Sequence, residues 1–110
     1  MAKTKEINGT TVYINGKGKS TIIMVHGWPD THEIWQKQVV FFEKHFTCVT
    51  FTLPGFGKND TRNYTLDNIT QLIKAIADEV SPDEQVILLL HDWGCIFGYE
   101  YAMKYPERIK

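Results

Sequence analysis

Three five-residue runs rich in aliphatic and β-branched residues, each followed closely by a turn containing glycine or proline, constrain the fold of this chain most. They occupy residues 21–25, 47–51 and 86–90. The first and third runs carry almost no polar side chain, which is typical of strands buried on both faces of a parallel sheet. We therefore predict three strands within a sheet that is covered on both sides.

Segments with helical periodicity separate these strands. The clearest of them spans residues 66–80, where apolar residues recur every three to four positions. Thr65 is a suitable N-cap for this helix, and the negative charge of Asp67 is favourable in its first turn. A further strand at residues 10–14 leads into an Asn-Gly turn and precedes the whole pattern. The alternation predicts an α/β fold with a mostly parallel sheet and helices on both of its faces. The predicted helices span residues 34–46, 66–80 and 96–104.

The length and the end of the pattern bear on domain organisation. At 110 residues the chain forms one domain at most. The last predicted helix stops at Tyr105-Pro106, where the alternating pattern calls for another strand to cover the open side of residues 86–90. We therefore expect residues 1–110 to be the N-terminal part of a longer core domain.

Composition excludes several partners. With 12 Lys and Arg residues against 13 Asp and Glu residues, the net charge is −1, so no positive field favours nucleic acid or an anionic membrane. No apolar run approaches the roughly 18–20 residues of a membrane span, and the charged N-terminus is unlike a secretory signal. Cys48 and Cys95 show no metal-ligand spacing. We expect a cytoplasmic protein that uses no metal or cofactor.

A charged residue stands just beyond the third apolar run. Asp92 lies between His91 and Trp93-Gly94, at the carboxyl end of a predicted strand, where open α/β sheets bind their ligands. Gly94 allows a sharp bend into the next helix, and the amides that begin that helix favour an ionised carboxylate. The alternative is that Asp92 only caps this helix and that His91 and Trp93 are packing residues.

Three turns that each follow a strand carry a resemblance to a known family. They lie at residues 26–29, 53–57 and 91–94 and read His-Gly-Trp-Pro, Leu-Pro-Gly-Phe-Gly and His-Asp-Trp-Gly. In this order the sequence resembles the α/β-hydrolase fold, in its epoxide hydrolase and haloalkane dehalogenase branch. The resemblance extends from about Thr10 to the last residue. It implies later strands, a cap domain, an acid and a histidine base that residues 1–110 do not contain.

The resemblance implies a role for each matching position. Asp92 is expected to be the nucleophile, and the backbone amides of Trp28 and Trp93 are expected to form an oxyanion hole. Both tryptophans are also expected to contact the substrate. The other matching positions are expected to shape the two turns of the site: His26, Gly27, Pro29 (through a cis peptide bond), His91 and Gly94.

Two positions depart from the pattern of that branch. Cys95 stands where a small residue usually follows Trp-Gly, and its compact thiol suits a tight turn. Thr52 stands where an aspartate often precedes Leu-Pro-Gly, which weakens the match without changing the nucleophile.

An aspartate nucleophile restricts the chemistry. With a reference pKa near ~3.9, aspartate is already an anion at neutral pH. Attack on an acyl group would give an unstable anhydride, whereas attack on a saturated carbon gives an alkyl ester that water can hydrolyse. Two backbone amides would then stabilise the oxyanion that forms. The expected substrate is therefore a small apolar molecule such as an epoxide or an alkyl halide.

The aromatic residue at position 28 favours the epoxide, since dehalogenases often have a polar residue there. A haloalkane dehalogenase-like hydrolase and a non-catalytic binding protein of the same fold stay open as alternatives. The family's histidine base comes late in the chain, whereas all four histidines here come too early to match it: His26, His32, His45 and His91. We therefore expect the 110-residue chain alone to be inactive in turnover.

Overall fold

A computed structural model describes residues 2–56 and 60–110 of the chain. The first three elements along the chain are strands, and helices and strands alternate after them. The strands are β1 (Lys3–Ile7), β2 (Thr10–Asn15), β3 (Thr21–Val25), β4 (Thr47–Phe51) and β5 (Val86–Leu90). The α-helices are α1 (Gln36–Phe42), α2 (Leu66–Val80) and α3 (Trp93–Lys104), and short 3-10 turns span His32–Trp35 and Pro106–Arg108.

The five strands form one sheet in the order β1-β2-β4-β3-β5. Strand β3 pairs in parallel with both β4 and β5, whereas β2 pairs in antiparallel fashion with β1 and β4. Helices α2 and α3 cover the face whose core includes Ile23, Val49 and Phe51, and α1 covers the opposite face over Met24 and Cys48. The predicted α/β fold with helices on both faces is confirmed, and the antiparallel pairings make the sheet mixed.

Strand β1 was not predicted from the sequence. Its first four residues, Lys-Thr-Lys-Glu, are exposed, and it lies at the sheet edge, where exposed Lys and Glu residues are typical. Asn8 and Gly9 join it to β2 with φ angles of 48° and 77°, the positive values that a two-residue hairpin turn needs. The Asn8-Gly9 pair is therefore the sequence signal for β1. The later pair, Asn15-Gly16, does not make a hairpin, because β2 and β3 are not neighbours in the sheet.

The helix predictions are confirmed in position but not in every boundary. Helix α2 begins as expected, because Thr65 Oγ1 accepts a hydrogen bond from Asn68 N–H at 3.0 Å. The first predicted helix ends early, at Phe42, because the chain must turn back there so that Thr47 N–H can donate to Ser20 O at 2.9 Å and begin β4. Helix α3 starts at Trp93, three residues before the predicted start at position 96.

The prediction that residues 86–90 form a fully buried strand is only partly correct. Within the described residues β5 lies at the edge of the sheet, and only Val86 is fully buried, whereas every residue of β3 is buried. A single parallel bridge joins Val86 to Ile109 on the outer side of β5. No helix within residues 2–56 and 60–110 has the length and hydropathy needed to cross a membrane.

Candidate active site

The chain turns sharply between β5 and α3, and Asp92 occupies the turn. Its φ and ψ angles are 56° and −125°, a combination that non-glycine residues rarely adopt. Hydrogen bonds hold this conformation from both sides: His91 N–H donates to Val25 O at 3.1 Å, and Cys95 N–H donates to Asp92 O at 2.9 Å. The backbone therefore presents the Asp92 side chain at the carboxyl edge of the sheet.

The Asp92 carboxylate points away from its own helix. It makes no capping hydrogen bond to α3, although it occupies the N-cap position. Instead its Oδ2 accepts a hydrogen bond from the backbone N–H of Trp28 at 3.2 Å. The reading of Asp92 as a simple helix cap is therefore wrong, and two of the predicted site residues are brought together.

Glycine at position 27 makes this approach possible. A Cβ atom there would lie 2.5 Å from Asp92 Oδ2 and 2.8 Å from the backbone nitrogen of Trp93. The Trp28–Pro29 peptide bond that follows is cis. The position that a Cβ atom of residue 27 would occupy thus lies between the Asp92 carboxylate and the backbone amide of Trp93, the first residue of α3.

Both predicted oxyanion-hole amides lie next to the carboxylate. Trp28 N–H already donates to Asp92, and Trp93 N–H has no hydrogen-bond acceptor among residues 2–56 and 60–110. An amide at the first turn of a helix carries partial positive charge that favours an anion. Trp28 and Trp93 themselves are 62% and 49% exposed, and their predicted contact with a substrate stays a prediction.

His26 is a fully buried link between two loops. Its Nε2 accepts from Leu53 N–H at 2.9 Å, so Nδ1 carries the proton and donates to Gly27 O at 2.8 Å. Burial lowers the pKa of His26 below its ordinary value, and the ring stays neutral. Because Gly27 O belongs to the same peptide unit as Trp28 N–H, His26 orients the amide that faces Asp92.

We expect the free energy of unfolding to fall as the pH drops below about 6.5, because the unfolded chain then binds protons that buried His26 does not accept. Burial lowers the pKa of half-buried His32 in the same direction. Urea unfolding between about pH 5 and about pH 7.5 measures the slope. His26→Gln, which keeps an acceptor for Leu53 N–H, should flatten it, whereas substitution of exposed His45 by Gln should not. Equal slopes in the wild type and the His26 variant would contradict this assignment.

The predicted turn at residues 53–57, with its Gly-Phe-Gly sequence, begins as a tight turn from Leu53 to Phe56. Phe56 N–H donates to Leu53 O at 3.0 Å, and Gly55 has a φ of 84°, as a type II turn with Pro-Gly at its centre requires. The Phe56 ring packs edge-on against the rings of His26 and Trp28, with centroid distances of 5.4 and 5.7 Å. Gly57, the last residue of the predicted motif, lies outside the described residues.

The ring of His91 packs away from the Asp92 carboxylate. It packs edge-on against buried Trp35, with a centroid distance of 6.5 Å, on the face of the sheet that α1 covers. Gly94 contacts the end of β3 instead, since a Cβ there would overlap the carbonyl oxygen of Val25 and lie 2.8 Å from that of His26. Both residues therefore support the turn rather than the carboxylate itself.

The two positions that depart from the family pattern fit the local structure. Thr52 Oγ1 accepts from His32 N–H at 3.1 Å and lies 2.8 Å from His32 Nδ1, so it ties the start of the 3-10 turn to β4. Cys95 is half-buried and not disulfide-bonded.

Burial raises the pKa of Cys48 to about 11, which keeps that thiol protonated and unreactive. No three His, Cys, Asp or Glu side chains of the described residues are grouped as a metal site.

Comparisons with known proteins identify others that share the fold of this chain. A family model described as the alpha/beta hydrolase fold matches residues 20–110. A cis-3-alkyl-4-alkyloxetan-2-one decarboxylase of Shewanella oneidensis is 33% identical over 103 residues, which make up 89% of this chain and 32% of the decarboxylase. Human epoxide hydrolase 4 is 31% identical over 97 residues, or 84% of this chain and 26% of that enzyme.

Solved structures show the same relation. The crystal structure of an epoxide hydrolase from Vigna radiata superposes with a TM-score of 0.86 and 29% sequence identity, covering 100% of this chain and 37% of the plant enzyme. The chain thus spans about a third of the length of these proteins.

Proposed function

Because this chain belongs to the α/β-hydrolase fold family, we propose that it carries the nucleophile of a hydrolase that opens epoxides through a covalent ester on Asp92. The observation that carries the proposal is the hydrogen bond from Trp28 N–H to Asp92 Oδ2. It joins two sequence motifs that lie far apart in the chain. It also holds the carboxylate at an exposed edge instead of on its own helix.

The first step uses the carboxylate as it stands. An Asp92 oxygen attacks a saturated ring carbon, the carbon–oxygen bond of the ring breaks, and the released alkoxide takes a proton from an acid or from water. The product of this step is a hydroxyalkyl ester on Asp92. No proton has to leave the nucleophile, so an anionic carboxylate is sufficient.

The second step releases the product. Water attacks the ester carbon of Asp92, its proton passes to a base, and negative charge develops on the former carboxylate oxygen. The amides of Trp28 and Trp93 are placed to stabilise that charge, and removal of one such donor typically costs about 2.7–4 kcal/mol. The intermediate then collapses: its bond to the alkyl oxygen breaks, that oxygen takes the proton of the new hydroxyl group, and the Asp92 carboxylate and a diol result.

We propose that the base for the second step comes from outside residues 1–110, so that this chain is the N-terminal part of a longer hydrolase domain. The buried ring of His26 is already engaged at both nitrogens, and the ring of His91 packs against Trp35. The chain alone should therefore form the ester and hydrolyse it slowly.

We expect styrene oxide to leave a single ester on Asp92 of the purified chain. Peptide mass spectrometry locates the label, and release by hydroxylamine distinguishes an ester from a thioether on Cys95. Release in oxygen-18 water should place the heavy oxygen in Asp92, because water attacks the ester carbon. A label that is confined to cysteine, or sustained diol formation without ester, would contradict the proposed mechanism.

The name of the Shewanella relative supports a second candidate, a strained four-membered lactone. Loss of carbon dioxide from such a ring leaves an alkene, whereas hydrolysis of an epoxide leaves a diol. Product analysis on the two ring types therefore separates these candidates. An alkyl bromide probes the dehalogenase alternative in the same assay, and reversible binding of all three without any ester would indicate a non-catalytic binding protein.

A further inference from the structure

Arg62 connects two segments that are distant in sequence. Its Nε and one terminal nitrogen bind the two carboxylate oxygens of Asp60 at 3.0 and 2.7 Å. Its other terminal nitrogen donates to Gly9 O at 2.8 Å and to Thr10 Oγ1 at 3.3 Å. We call these four residues the Arg62 strap. It fastens the segment that follows the Leu53–Phe56 turn to the hairpin between β1 and β2.

The strap has the geometry of a strong ion pair. The Asp60 side chain is 16% exposed, and the Arg62 guanidinium holds the pKa of that carboxyl well below its usual range. An isolated surface pair contributes little, but here a two-pronged contact to a carboxylate is combined with two further acceptors. The Asp60 carboxylate also accepts from the backbone N–H of Arg62 at 3.0 Å, so this pair fixes the guanidinium locally, and the bonds to Gly9 and Thr10 make the link to the hairpin.

The strap also holds the outer side of the Leu53–Phe56 turn. A Cβ atom on Gly55 would lie 2.9 Å from Arg62 O and 3.0 Å from the Tyr64 ring, so residues 62–64 pack directly on that glycine. The Tyr64 ring also contacts the Phe56 ring, at a centroid distance of 5.3 Å. The turn is therefore enclosed between the strapped segment and the site.

The inner side of the turn touches the residues that aim the Trp28 amide. Leu53 N–H donates to His26 Nε2, and the Phe56 ring packs against both His26 and the Trp28 ring. His26 in turn orients the peptide unit whose N–H meets Asp92. A displacement of the turn would thus move the donor relative to the carboxylate.

We propose that Arg62 is a positioning residue, which keeps the Trp28 amide aimed at Asp92 by holding the Leu53–Phe56 turn against His26 and Trp28. For its role in the reaction the inference rests on the proposed function above. Arg62 itself has no contact with Asp92 among the described residues. Its effect on the site passes through the turn.

Arg108 provides a matched control. Its guanidinium also fastens separate segments, with hydrogen bonds to the carbonyl oxygens of Ala77 at 3.1 Å, Ser81 at 2.6 Å and Glu84 at 2.8 Å. These acceptors lie at the end of α2 and in the loop before β5. Replacement of Arg108 should therefore reduce stability without reaching the Trp28 amide.

The experiment compares Arg62→Gln, Arg62→Lys and Arg108→Gln by amide hydrogen exchange at Trp28 and by the rate of ester formation on Asp92. We expect Arg62→Gln to speed Trp28 exchange and to slow labelling, each by about tenfold, because small misplacements of reacting groups are costly. Arg62→Lys, which keeps the charge but not the planar fork, should restore part of both. Arg108→Gln should lower the urea midpoint and leave both readouts unchanged.

Two results would overturn the inference: unchanged Trp28 exchange in Arg62→Gln, or equal changes in the two glutamine variants. If the wild-type chain forms no ester at all, the proposed function fails. The exchange measurement would still decide whether Arg62 positions the Trp28 amide. The two proposals can therefore fail separately.

Discussion

Asp92→Asn should reduce ester formation on this chain to the level of nonspecific alkylation, a fall of at least about 100-fold. The amide has nearly the shape of the carboxylate, and its oxygen can still accept from Trp28 N–H. Asparagine also tolerates positive φ better than most residues, so the turn at 56° should persist. What the variant lacks is the anion that attacks carbon. Peptide mass spectrometry after incubation with styrene oxide measures the loss.

Asp30→Asn is the matched control for this experiment. Asp30 lies in the neighbouring turn, where its N–H donates to Gly27 O at 2.9 Å, and the proposed mechanism gives its carboxylate no part. The control should label at the wild-type rate. Persistent ester formation in Asp92→Asn would mean that another carboxylate is alkylated, and the nucleophile assignment would have to be abandoned.

Gly94→Ala should destabilise the fold by about 3 kcal/mol, the upper end of the usual cost of overpacking. The new methyl group would overlap the carbonyl oxygen of Val25 and lie 2.8 Å from that of His26. Both are backbone atoms at the end of β3, so neither can rotate away. Helix α3 would have to move off the sheet and take the Asp92 turn with it. Urea unfolding measures the change.

Gly98→Ala, one turn further along α3, separates this effect from a general intolerance of the helix. There the added methyl group meets the side chain of Leu90, which can change rotamer, so we expect a loss of about 1 kcal/mol. If the two variants lost equal stability, the close contact between α3 and the backbone of β3 would not be the critical one.

Local patterns were enough to predict much of the fold. The spacing of apolar residues in α2 and the hydroxyl of Thr65 act within a few residues of each other, so the helix and its start were readable. The same holds for the Leu53–Phe56 turn, which needs only its own Pro-Gly pair. Strand β1 was missed because an edge strand buries little, and its charged side chains mask the alternation.

Part of the candidate site could likewise be predicted from local sequence, and part of it could not. That Asp92 stands in a sharp turn between a strand and a helix follows from its immediate neighbours, His91, Trp93 and Gly94, and could be inferred from them. That its carboxylate meets Trp28, 64 residues away, depends on β3 lying beside β5 in the sheet. Local patterns do not specify which strands are neighbours.

Two further features were decided only by the folded chain. The proton of His26 resides on Nδ1 because Leu53 N–H, at the end of β4, faces Nε2. The link from Arg62 to Gly9 spans 53 residues and has no motif of its own. Short-range chemistry sets the conformation of each turn, whereas the contacts between turns arise from strand order, which the packing of the whole domain selects.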